Sequence, residues 1–212
     1  MKHVVVASNN AHKVKEINEI LRLNGYEFVS WGSCGDFPEP IEDGDSFLAN
    51  ARIKAYAAHQ ETGLPAVADD SGLVVDALGG APGIFSARYA ALEELSGDIP
   101  PYDSDDKANN ARLLRELEKV GALEPEQRCA RFVCTIVYID ENENEHTATG
   151  FCEGIIGFDE QGVNGFGYDP LFFPDAYDHI HSMAELSAEQ KNVISHRGVA
   201  LRALQRDIET RH

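Results

Sequence analysis

The 212-residue chain is 43% hydrophobic and carries a formal net charge of −18. That apolar content is enough for a real core, as one large domain or one domain with a lobe, and no apolar run approaches the roughly 20 residues a membrane span needs. The acidity argues against a general nucleic-acid binder, which needs a basic face. It leaves room for a small anionic substrate, because salt confines exposed charges to a reach of about 8 Å and a local cationic pocket can win.

The stretch "HVVVAS" predicts a buried first strand rather than a secretion signal, since no small-residue cleavage site follows its short apolar run. Val14, Ile17, Ile20 and Leu21 then recur at helical spacing, and Asn24-Gly25 closes that helix. "SFLANARIKAYAAHQETG" predicts a second helix, capped by Ser46 and stopped by Gly63, and "PAVADDSGLVVDAL" predicts a strand, a turn at Ser71-Gly72 and a second short strand. "GGAPG" is a loop by its Gly and Pro content, and the acidic, Pro-containing residues 93–106 predict a surface excursion. "SDDKANNARLLRELEKVG" predicts a helix with Ser104 as its cap. "CARFVCTIVYID" and "EHTATGFCEGIIGF", separated by the polar "ENEN", predict an antiparallel hairpin. Ser187 in "SAEQ" fits a capping box opening another helix, and Ser195 starts the last one. Strands mixed with helices throughout place the chain in the α/β class with some antiparallel content, without repeats or linkers. Cys34, Cys129, Cys134 and Cys152 lack CxxC spacing and read as buried thiols of a reducing, cytoplasmic compartment.

Four places carry chemistry. The first strand runs straight into Ser8, Asn9 and Asn10, with His12 and Lys13 at the start of the following helix. A helix N-terminus offers unpaired N–H groups and partial positive charge, so such a loop suits phosphate, although the same side chains also serve as simple helix caps. It matches neither GxxxxGK[ST] nor GxGxxG. In "ADDSG", Asp69 and Asp70 end an apolar strand, and alternation turns only one of them toward a given pocket. A carboxylate there suits Mg²⁺ or activation of a water, and "DDSG" equally suits an Asx-type turn. In "GFGYDP", Gly165 and Gly167 permit close approach of a ligand, Phe166 and Tyr168 are candidates to stack on a flat ring, and Asp169 is an acceptor for a base edge; a Gly-rich turn with core aromatics fits the same residues. In "EQKNVISHRG", Lys191 precedes His196 and Arg197, whose planar fork suits phosphate or a purine carbonyl but also a surface ion pair. His179 and His181 have no pattern completing a metal site and read as surface residues.

In this order, "ASNNAHKVKEI", "EDGDSFLANARIKA", "ADDSGLVVDALGGAPGIFSARYA", "FGYDP" and "EQKNVISHRGVAL" resemble the noncanonical purine NTP pyrophosphatases, also called inosine triphosphate pyrophosphatases. The resemblance spans nearly the whole chain and implies one pyrophosphatase domain over residues 1–212. It implies a long, mixed, curved sheet with flanking helices in two lobes around a central cleft, and usually a homodimer. The implied reaction is Mg²⁺-dependent hydrolysis of ITP, dITP and XTP to the monophosphate and pyrophosphate. By position, Ser8, Asn9, Asn10, Ala11, His12 and Lys13 would bind the triphosphate. Asp70 would be catalytic base and Mg²⁺ ligand, with Ser71 on the substrate and Lys54 near the phosphates. Phe166, Gly167, Tyr168 and Asp169 would form the base pocket, and Lys191, His196 and Arg197 would complete recognition. Ser8-Asn9 stands where many members have Thr-Gly, which keeps the hydroxyl. For the second acidic metal ligand "PEPIEDGDSF" offers Glu39, Glu42 and Asp43, and the resemblance favours Glu42, which stands two residues before Gly44 as in similar sequences. A pyrophosphatase for another modified or pyrimidine nucleotide, or a nucleotide-binding regulator that does not hydrolyse, are the rival functions; the Asp69-Asp70 pair and Lys54 count against the regulator.

Overall fold

Short apolar strands separated by helices assemble into one six-stranded sheet in the order β2-β1-β3-β4-β5-β6. The structure is a computed structural model and describes residues 2–8, 10–23, 25–38, 40–93 and 103–211. β1 (Lys2–Val6) lies in parallel between β2 (Tyr26–Ser30) and β3 (Ala66–Val75). β4 (Cys129–Ile139) and β5 (Glu145–Ile156) form the expected hairpin, and β6 (Phe172–Pro174) runs antiparallel to β5. The helices are α1 (Ala11–Ile20), α2 (Trp31–Cys34), α3 (Phe47–Thr62), α4 (Asp106–Lys119), α5 (Ala188–Ile194) and α6 (His196–Arg211). The class is the mixed α/β one expected.

The chain divides into two compact units, one made of Met1–Ser71, Cys134–Phe151 and Ser195–His212, the other of Gly72–Val133 and Cys152–Ile194. In the first, strand alternation sorts the core. Val4, Val6 and Val67 join Ile17 and Leu21 of α1 and Leu201 and Leu204 of α6, while Val5, Ala7, Ala66 and Ala68 join Ala51, Ala55 and Ala58 of α3. Gly150 lets α6 reach the sheet backbone, since a Cβ there would lie 2.2 Å from the His196 carbonyl oxygen. In the second unit Leu73, Val75, Leu113, Leu117, Phe132, Ile156 and Phe172 form a single core.

Local signals set several boundaries. The Ser46 hydroxyl accepts from the Ala49 N–H at 3.2 Å, and Gly63 ends α3 at φ +65°, a left-handed conformation suited to glycine. Ser187 and Gln190 exchange the bonds of a capping box, and Ser195 accepts from the Gly198 N–H. Two expectations fail. The turn at Ser71-Gly72 is instead the middle of continuous β3, where the Ser71 hydroxyl donates to Asp69 along the strand and accepts from distant Arg197 rather than closing a turn. Ser104 does not cap α4: Asp105 holds that position, and the Ser104 hydroxyl accepts from the Ala91 N–H. All four cysteines are free thiols; Cys134 and Cys152 are buried, but Cys129 is exposed, against expectation. Asn24, and residues 94–102 of the surface excursion, lie outside the described residues. Among the described residues no helix is long and apolar enough to cross a membrane.

Candidate active site

The first unit carries a knot of charges at the middle of β3. Alternation separates its two carboxylates into different networks. Asp69 is buried, and its Oδ2 accepts from Nε and Nη2 of Arg197 at 3.3 and 3.1 Å and from the Ser71 hydroxyl at 3.2 Å, with the Lys13 ammonium also 3.2 Å away. Arg197 donates further to Ser71 Oγ at 3.1 Å and to Glu16. Burial alone would push the Asp69 carboxyl up, but the charges of Lys13, Arg197 and Lys54 outweigh it and hold its pKa far below the usual carboxylate range. The Arg197 pKa is raised: its burial is opposed by Asp69 and its other neighbours. Cys134 packs its thiol 3.8 Å from the same oxygen, and burial, reinforced by Asp69, keeps it un-ionised.

Asp70 faces a second network. Its Oδ1 accepts from Lys54 Nζ at 3.0 Å and its Oδ2 from the Asn50 amide at 3.3 Å. Lys54 Nζ also donates to Glu42 at 3.2 Å, so two carboxylates meet on one ammonium. Asn50 and Lys54 stand four apart on the buried face of α3. Asn50 also accepts from the Gly44 N–H at 2.9 Å, which fixes the loop carrying Glu42, and a Cβ on Gly44 would lie 2.6 Å from the same Asn50 oxygen. Burial is the largest influence on Asp70 and holds its pKa above the ordinary value; Lys54 and Lys13 pull against it and Glu42 adds to it. Asp43 is exposed, and Glu39 lies outside the described residues.

At the start of α1 the capping role of the polar loop is realised: the Lys13 N–H donates to Asn10 Oδ1 at 3.3 Å and the Asn10 N–H to Ser8 Oγ at 3.2 Å. Asn9 lies outside the described residues, as do the side chains of Ala11 and His12. His196 and Arg197 open α6, where both are buried, so the surface-pair reading of Arg197 gives way to a buried ion cluster.

The second unit carries the "GFGYDP" loop. Gly165 (φ +79°) and Gly167 (φ +61°) adopt left-handed backbone, and a Cβ on Gly165 would come within 2.1 Å of Asp169 Oδ2. That oxygen accepts from the Phe166 N–H at 2.9 Å and from Lys191 Nζ at 2.7 Å. Lys191 also stands 4.7 Å over the Phe166 ring, a cation–π contact. Tyr168 is only 4% exposed, belongs to the core and donates to the Ser86 carbonyl at 2.8 Å. Half-buried Phe166 is therefore the aromatic better placed to stack on a ligand. Sequence reasoning missed Glu16 and Asn50 in the first cluster and Ser86, Asp106 and Asn110 around the loop. For Asn50 the i,i+4 relation to Lys54 was the available signal.

Two hard carboxylate donors converging on one cation suit Mg²⁺, which uses one or two carboxylates and completes its shell with water and phosphate oxygens. Among the described residues no group of three or more His, Cys, Asp or Glu side chains is arranged to hold a metal by itself.

The chain is similar to known proteins over nearly its whole length. The model of the Ham1 family matches residues 4–207. The chain is 49% identical to a dITP/XTP pyrophosphatase of Desulforamulus reducens over 94% of its length and 92% of that protein's. It is 47% identical to the dITP/XTP pyrophosphatase of Geobacter sulfurreducens, over 96% and 95% of the two chains. Among solved structures, a HAM1 protein from Coxiella burnetii superposes with a TM-score of 0.81 at 38% identity, covering 99% of this chain and 100% of that one.

Proposed function

We propose that this chain, which belongs to the Ham1 family, hydrolyses noncanonical purine nucleoside triphosphates (ITP, dITP and XTP) to the monophosphate and pyrophosphate, and so cleanses the nucleotide pool. The observation that carries the reading is the meeting of Glu42 and Asp70 on the Lys54 ammonium, in the same unit as Lys13 and Arg197. Glu42 and Asp70 would hold Mg²⁺, which supplies charge neutralisation on the phosphates when bound. Ser8, Asn9, Asn10, Ala11, His12 and Lys13 take the triphosphate at the start of α1. Asp70 orients and deprotonates a water whose oxygen forms the new bond to the α-phosphorus; the bond from that phosphorus to the bridging oxygen breaks, and pyrophosphate leaves with the electron pair. Lys54, released from its carboxylates, meets the phosphate charge.

Phe166 and Gly167 would receive the base, with Tyr168 and Asp169 fixing the loop. Lys191 and His196 complete recognition, and Arg197 does so by holding Asp69 and Ser71. Selectivity rests on the 6-oxo group and N1–H of hypoxanthine or xanthine, since polar groups built for those atoms lose their partners when adenine enters. We read residues 1–212 as one functional domain acting in the cytoplasm as a homodimer. A panel of nucleoside triphosphates with Mg²⁺, scored for pyrophosphate against orthophosphate, tests the reading. ITP, dITP and XTP should release pyrophosphate far faster than ATP. Orthophosphate as the first product would overturn the reaction type, and no turnover would make the chain a nucleotide binder.

A further inference from the structure

We propose that Asp106 and Asn110, neither of them a ligand to substrate, are positioning residues for base selectivity: from one face of α4 they hold Gly167 by both its N–H and its carbonyl and thereby set the loop from Phe166 to Asp169. The inference rests on the reading of that loop as the base site. The Gly167 N–H donates to Asp106 Oδ2 at 2.7 Å, and the Gly167 carbonyl accepts from Asn110 Nδ2 at 3.3 Å. Asp106 and Asn110 stand four residues apart, the spacing that puts two side chains side by side on a helix. The Asn110 amide also donates to Glu160 at 2.7 Å, so both of its contacts need the nitrogen on this side and its orientation is set. Asn110 is 2% exposed, and its Oδ1 has no hydrogen-bond partner among the described residues, so the amide is kept at some cost in unsatisfied polarity.

The loop needs such a clamp. Gly165 and Gly167 both take left-handed backbone, and glycine has the most conformational freedom to lose. The other anchors act elsewhere: Asp169 takes the Phe166 N–H, and Tyr168 is tied through its hydroxyl to Ser86. The peptide that follows Phe166 is held within the loop by the Asp169 N–H on the Phe166 carbonyl at 3.3 Å, and α4 fixes its other side through the Gly167 N–H. With it free, the Phe166 ring loses its set direction, and a displacement of about 1 Å can cost as much as 100-fold in rate.

The test compares Asp106→Ala, Asp106→Asn and Asn110→Ala. Each is assayed for kcat and KM with ITP and ATP, and for the inhibition constant of tripolyphosphate, which has phosphates and no base. Asp106→Ala and Asn110→Ala should lower the ITP-to-ATP ratio of kcat/KM by about 10- to 100-fold. The tripolyphosphate constant should stay unchanged. Asp106→Asn keeps an acceptor oxygen and should retain most of the ratio, which a loss of charge alone would not allow. Asp106 is exposed, so its variants fold even where Asn110→Ala does not. An unchanged ratio in Asp106→Ala, or a parallel loss of ITP and tripolyphosphate binding, overturns the proposal. Phe166→Ala separates the two layers. A shifted ratio there beside unchanged Asp106 and Asn110 variants defeats only the clamp, whereas no shift in any variant removes the base-site reading and the clamp together.

Discussion

The charge knot on β3 and the glycine loop at 165–169 solve opposite problems. At Asp69 the difficulty is desolvation: a carboxylate, a guanidinium and, with 18% of its side chain exposed, an ammonium leave water together, each made tolerable by the others. At Gly167 the difficulty is freedom, and the remedy is hydrogen bonding of main chain to side chains from α4. Each arrangement leaves a signature. The knot is already occupied by its own cations, so a metal ion or phosphate binding there as proposed would have to displace internal partners; the loop is held in shape by the protein's own hydrogen bonds. Substitutions in the knot should therefore alter charge balance, rate and stability, and those around the loop should alter selectivity.

The largest effect expected is on turnover. Asp70→Asn keeps the shape but removes the charge that would hold the metal and take the proton. General-base assistance is typically worth about 10²- to 10⁴-fold, and loss of the metal contact adds to that. ITP hydrolysis at saturating Mg²⁺, with circular dichroism to confirm folding, checks it; a folded variant with near-normal kcat would move the catalytic carboxylate elsewhere. Asp69→Asn should act on stability instead, because it leaves Arg197 and Lys13 facing each other without their shared anion. Removing one partner of a buried pair costs about 3–5 kcal/mol. The pH dependence has a definite sign. The folded pKa of Asp69 lies below its unfolded value, so its stabilisation is complete above the ordinary carboxylate range and is lost as pH falls through and below it. The gap in urea midpoint between wild type and Asp69→Asn should be full at pH 7 and shrink below about pH 4. A gap that widens in acid contradicts the assignment.

Arg197→Lys is a gentler break in the same knot. It retains the charge but loses the fork that reaches Asp69, Ser71 and Glu16 together. Charged hydrogen bonds contribute about 1.5–3 kcal/mol each, so thermal stability should fall while the ITP-to-ATP ratio stays within about twofold. A large change in that ratio would make Arg197 a direct reader of the base.

How far the sequence carried each region follows from how local its causes are. Ser46, Gly63 and the "SAEQ" box were legible because their partners lie within four residues. The opposite facing of Asp69 and Asp70 was legible from strand alternation, and the structure sends one to Lys13 and Arg197 and the other to Lys54 and Asn50. The uninterrupted course of β3 was not, because the Ser71 hydroxyl is met by Arg197 from 126 residues away. Asp106 and Asn110 show an i,i+4 relation, but nothing local tells that their target lies 61 and 57 residues downstream. Short β2 and β6 gave too little pattern to recognise.

The smallest predicted effect tests whether the knot keeps the metal's place filled. Lys54 is 11% exposed in its side chain and lies 3.2 Å from Glu42 and 3.0 Å from Asp70, the two proposed metal ligands. Its burial works against the charged form, yet the neighbouring carboxylates outweigh that and raise its pKa, so it remains an ammonium at neutral pH. A divalent ion entering the nucleotide-free protein must therefore push a cation aside. Lys54→Met removes the competitor and leaves two carboxylates without the cation they share. Titration calorimetry with Mg²⁺ in the absence of nucleotide should then show binding tightened by about tenfold, equivalent to ~1.4 kcal/mol. Because Lys54 also meets phosphate in the proposed reaction, the same variant should turn over ITP more slowly although it holds metal better. Opposite movement of metal affinity and kcat is what an internal stand-in for the metal requires. If both fall together, Lys54 supports the site without occupying the metal's position.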